Sequence, residues 1–136
     1  TIRVDTRPQP GVTVDQVQRL LEGAITRAQA TDSEIKTELV LADRKDAFMV
    51  ARDAPVVRHT SAAWERIMHR PVVYSGGSWL ADTASMGPFV ETVIFGPGGD
   101  PVYQPNESLE ITDIERASQI NALTVAMALV PEMSDG

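Results

Sequence analysis

Cysteine is absent from this chain, which removes a disulfide frame, a thiol nucleophile and Cys-ligated zinc at one stroke. Histidine is scarce as well. Only His59 and His69 are present, and on one helix a separation of ten residues places them about 15 Å apart along the axis, too far to share an ion. Basic charge is in deficit: 12 Lys and Arg stand against 19 Asp and Glu, a formal net charge of -7 with no basic cluster. That balance argues against a nucleic-acid or anionic-membrane surface. Long apolar runs are missing too. The longest, Ala122 to Val130, falls far short of the roughly 20 residues that span a bilayer, and no signal peptide opens the chain. These absences predict a cytoplasmic chain, and 136 residues suit one domain with a core of its own.

What is present reads as alternating elements. Ile2 to Thr6 alternates apolar and polar residues and stops at Arg7-Pro8-Gln9-Pro10-Gly11, a short strand followed by a turn. Thr13-Val14-Asp15-Gln16 is a capping box, and Val14, Val17, Ala24, Ile25 and Ala28 recur at helical spacing, so a helix is expected from about 14 to 29. Ile35, Thr37, Leu39 and Leu41 then follow the period of a strand with one wet face. The charge run Asp43-Arg44-Lys45-Asp46 reads as a solvated loop and, with the residues up to 53, as the junction between two lobes. Pro55 opens a second helix with an apolar stripe from Val56 to Met68, ended by Arg70-Pro71. Val72-Val73-Tyr74 predicts a short strand, Trp79 to Met86 a short helix, and Val93-Ile94-Phe95 a buried strand running into Gly96-Pro97-Gly98-Gly99. A second capping box, Thr112-Asp113-Ile114-Glu115, predicts the start of a long closing helix. This order predicts an α/β or α+β sheet.

Three features carry candidate chemistry. Arg7, at the end of the first strand and stiffened by Pro8, suits bidentate recognition of a carboxylate or a surface salt bridge. Asp82 follows a glycine-rich stretch, where its carboxylate can cap a helix or orient a loop. The loop of Gly96, Gly98 and Gly99 can offer backbone amides to an anion or make a tight turn. No Ser-His-Asp set or carboxylate pair stands out.

Taken in order, Ile2-Arg3-Val4-Asp5-Thr6-Arg7-Pro8 with Pro10-Gly11, Asp82, Val93 to Gly99, Pro105-Asn106-Glu107 and the closing helix resemble the C-terminal part of a two-zinc metallopeptidase family. That family contains aminoacylases, acetylornithine deacetylase and succinyl-diaminopimelate desuccinylase. The resemblance implies an α/β fold in which residues 1–50 are the second half of a ferredoxin-like βαβ lid or dimerisation domain. Residues 51–136 would then be the closing segment of the catalytic domain. It makes Arg7 the holder of a substrate carboxylate, Asp82 the aspartate of the loop beside the site, and Gly96, Gly98 and Gly99 the wall of the substrate pocket.

The departures are as informative. Tyr103 occupies the position of the family's metal-binding His, and a phenol with a free pKa near 10 is a poor zinc ligand at neutral pH. The other ligands and the Glu-Glu base belong to an N-terminal half that this sequence does not contain. The expectation is therefore a C-terminal fragment or truncated homologue of a zinc-dependent amide hydrolase, acting on N-acyl amino acids or small peptides and inactive by itself. On this expectation the chain alone binds no cofactor, zinc or cobalt serves only a complete family member, and the partner is a second copy or the missing half. The alternative is a non-catalytic binding or dimerisation module on the same scaffold.

Overall fold

A computed structural model describes residues 1–77, 81–98 and 105–130. Its elements are four helices, α1 (Val14–Thr31), α2 (Pro55–Met68), α3 (Thr83–Met86) and α4 (Ile111–Leu129). Among the described residues there is no strand. The chain divides into two compact units, one of Thr1–Met49 with Gly77–Pro88 and the other of Val50–Gly76 with Phe89–Gly136.

The first unit is organised by the start of α1. Thr13 accepts from the Gln16 backbone N–H at 3.2 Å, and the Gln16 side chain accepts from the Thr13 N–H at 2.8 Å, so both halves of the capping box form. Two residues of the charge run close on the same helix end. Asp46 Oδ1 accepts from the Val14 N–H at 2.9 Å, and Arg44 Nη2 lies 2.6 Å from Asp15 Oδ1. A carboxylate placed there satisfies a donor that the helix cannot satisfy itself and meets the positive end of its dipole. The run expected to be merely solvated is thus part of a cap. Ahead of the helix, Val12 N–H donates to the Gln9 carbonyl at 3.0 Å across Pro10 and Gly11, with Gly11 at φ 93. This is the type II pattern, Pro in the second position and a left-handed glycine in the third.

In the second unit, α2 and α4 pack side by side. Ala63, Ile120 and Met127 are buried between them, with Trp64, Ile67, Met68, Leu123 and Phe95 around the edge. Trp64 and Phe95 meet edge to face, ring centroids 6.1 Å apart and planes at 83°. Pro55 takes the first turn of α2, where its missing N–H costs nothing. His69 follows the helix in the left-handed region at φ 53, its N–H returning to the Glu65 carbonyl at 2.9 Å, and Pro71 bars any continuation.

The helical architecture overturns the α/β expectation and the βαβ ferredoxin-like lid with it. The four segments expected to be strands, Ile2–Thr6, 35–41, Val72–Tyr74 and Val93–Phe95, lie outside regular structure. A strand is made by its ladder, and among the described residues the backbone bonds outside the helices are turn and cap contacts that join none of these segments to another. Alternation also promises one covered face, yet Leu39, Val40 and Leu41 are 40%, 71% and 47% exposed, so both faces of that segment are wet. At α4 the capping box does not form. The helix begins at Ile111 after Glu110, with no side-chain cap, so Thr112 is already inside the first turn and its hydroxyl cannot serve as the cap. The short helix expected from Trp79 is observed as α3 alone; residues 78–80 lie outside the described residues.

Candidate functional site

The residues singled out in the sequence are distributed over both units. In the first, Arg7 precedes the Pro10-Gly11 turn. Its Nη2 lies 3.1 Å and its Nε 3.4 Å from Asp5 Oδ2, with the two side chains 53% and 72% exposed. The guanidinium edge that would grip a carboxylate is thus already presented to one, two residues back in the chain. An exposed pair of this kind contributes about 0–1 kcal/mol.

Asp82, in the same unit, stands immediately before α3. Its carbonyl accepts from Ser85 and Met86 N–H, each at 2.9 Å, while its side chain makes no cap bond. The expected capping role is therefore filled by backbone alone.

Gly96 and Gly98 belong to the second unit and are exposed. A Cβ built at either meets nothing within 4 Å, and neither has the positive φ that would demand glycine. Their value is open backbone rather than turn geometry. Gly99 and Tyr103 lie outside the described residues. Just beyond them, Asn106 in Pro105-Asn106-Glu107 adopts φ 64, a left-handed corner that asparagine tolerates better than most residues.

A concavity of about 410 Å³ opens in the first unit, lined by Arg44, Lys45, Asp46, Phe48, Ser85 and Pro88 among others. Nothing in the sequence pattern pointed to it, because it combines the charge run with a segment some forty residues further on. Arg44 pairs with Asp15 and Asp46 accepts from the Val14 N–H, both at the start of α1. Phe48 is seated on Gly87, where any side chain would overlap its ring. That seat fixes one wall.

A metal site does not emerge. Among the described residues no three His, Asp or Glu side chains converge, and the zinc or cobalt implied for complete members of the resembling family has no fitting donor set there. His59 lies within α2 and His69 just after it. Among the described residues, no helix is long and apolar enough to cross a membrane.

No protein-family model matches the chain, and no curated protein or solved structure matches it either.

Proposed function

We propose that this chain is a part, inactive by itself, of a cytoplasmic amide hydrolase of the aminoacylase type, supplying groups that hold the substrate while another polypeptide supplies the metal ligands. The observation that carries this reading is the amount of large apolar surface left uncovered. Ile2 is 89% exposed, Val73 85% and Phe89 87%, a pattern of side chains that call for a further polypeptide to cover them. The order of Arg7, Asp82, the Gly96 to Gly99 loop and Pro105-Asn106-Glu107 supports the choice of family. In this reading Arg7 exchanges Asp5 for the carboxylate of an N-acyl amino acid or small peptide.

A hydrolysis assay on N-acetyl amino acids tests it. The chain alone, with added zinc or cobalt, is expected to show no turnover; turnover that follows the metal overturns the reading. Added N-terminal polypeptide of a family member is expected to restore activity, and Arg7→Ala is then expected to raise KM about tenfold or more, the loss of one charge-assisted carboxylate contact.

A second reading, a non-catalytic binding or dimerisation module, is favoured by Tyr103, which stands where the resembling family has a metal-binding His. It predicts that the completed assembly also stays inactive, and that Tyr103→His leaves metal binding unchanged.

A further inference from the structure

The helix α4 is apolar on two sides, and among the described residues only one of them is covered. Ala117, Ile120 and Met127 are buried toward α2. At 3.6 residues per turn, Ile111, Ile114, Ser118, Ala122, Val125 and Leu129 fall on the other side, and all six are exposed. The four large ones are 73%, 46%, 57% and 76% exposed in that order. A surface helix ordinarily carries one apolar stripe facing its core, so a second stripe is surface that a further partner can cover.

The stripe is its own complement. It runs bulky, bulky, small, small, bulky, bulky, and turned end for end about a point near Ile120 it reads the same. Laid antiparallel on a copy of itself, Ile111 meets Leu129, Ile114 meets Val125 and Ser118 meets Ala122, and a twofold axis repeats each contact. The small pair at the centre lets two backbones approach where the helices cross. Charge selects the same direction. Glu110, Asp113 and Glu115 gather at the start of α4 against a single cation, Arg116, which pairs with Asp113 at 3.4 Å, so that end keeps a net negative charge, whereas no charged residue lies between Ala117 and Val130. A parallel pair would bring the acidic ends together; an antiparallel pair separates them and opposes the helix dipoles. Covering four side chains exposed to this degree removes on the order of 500 Å² per copy, so roughly 1,000 Å² in all, the lower bound for a specific interface.

We propose that a second copy of this chain covers the outer face of α4, forming an isologous dimer through antiparallel α4 helices. The proposal is independent of the hydrolase reading.

Sedimentation of the whole chain from low micromolar to several hundred micromolar is expected to show a monomer-dimer equilibrium. Val125→Glu, on the exposed face, is expected to weaken it at least tenfold, with helix content unchanged by circular dichroism; Leu129→Glu is the second variant should the first misfold. Because the chain has no cysteine, register is read directly. Chains carrying Ser118→Cys mixed with chains carrying Ala122→Cys are expected to cross-link to each other faster than either does to itself. A monomer throughout the range overturns the proposal. So does a dimer indifferent to both Glu variants, or one in which each cysteine chain links preferentially to its own kind.

Discussion

The two units are held by opposite means. In the first, α1 has no buried residue among its eighteen and is fixed by polar contacts crowded onto its first turn: Thr13, Gln16, Asp46 and Arg44. In the second, α2 has no side-chain cap and α4 has none either, yet both contribute buried residues to a shared apolar seam. The contrast teaches that capping and packing substitute for one another only in part. A cap starts a helix in register but adds about 1 kcal/mol, whereas burying one large aliphatic side chain adds about 1.5–3 kcal/mol. In proteins most helical stability comes from packing of an apolar face rather than from the helix by itself. Amides of α1 are therefore expected to exchange with solvent well before those of α2 and α4, and hydrogen exchange read by residue measures the gap.

The largest effect is expected at the seam. Ile120, 1% exposed, leaves a cavity when shortened, so Ile120→Ala is expected to cost about 2–5 kcal/mol in chemical denaturation. It should erase the protection that distinguishes the second unit. Next comes Gly87→Ala, which drives a methyl into the Phe48 ring. Overpacking of this kind costs about 1–3 kcal/mol, and the loss is expected in the first unit alone. Thr13→Ala removes one side of the capping box and is expected to cost about 1 kcal/mol, read as faster exchange over the first turn of α1. The smallest effect is expected from Arg44→Ala. Its pair with Asp15 is half exposed on both sides, so the change is at most about 1 kcal/mol and should fade as salt is added. If Arg44→Ala proved as damaging as Ile120→Ala, the contrast between the units would collapse.

Local signals in the sequence translated well where the structure they specify is itself local. The capping box at Thr13, proline at the start of α2 and the Pro10-Gly11 turn each require only a few neighbouring residues, and each is found where the sequence puts it. Alternation at 35–41 is different. It states which faces a strand would have, but the ladder that makes a strand lies elsewhere in the chain or on another one, and no described segment provides it. Thr112 shows a subtler limit. The Thr-x-x-Glu pattern is intact, yet Ile111 is already helical, and a cap residue must stand outside the helix it closes. Candidate sites fared similarly. Of the two readings of Arg7, the surface salt bridge is the one present, though its partner Asp5 was not named by the sequence, and Asp82 working through its carbonyl is a contact that composition does not encode. The concavity around Lys45 joins segments too distant in sequence for any spacing rule to connect.

The contacts that Arg44 and Asp46 make at the opening turn of α1 have a topological consequence. They close a ring of chain that contains the whole of α1 and the irregular stretch after it, so the helix is anchored by residues that follow its far end. Beyond Thr37, which still accepts from the Gln29 side chain of α1 at 3.3 Å, the stretch from 38 to 42 acts as a tether whose job is to reach rather than to pack. Doubling the length of such a tether adds only about 0.6 kcal/mol of closure entropy. Foreign peptide grafted there should leave the helix seated, which makes this stretch the natural place to attach a label or a graft without disturbing the rest of the protein.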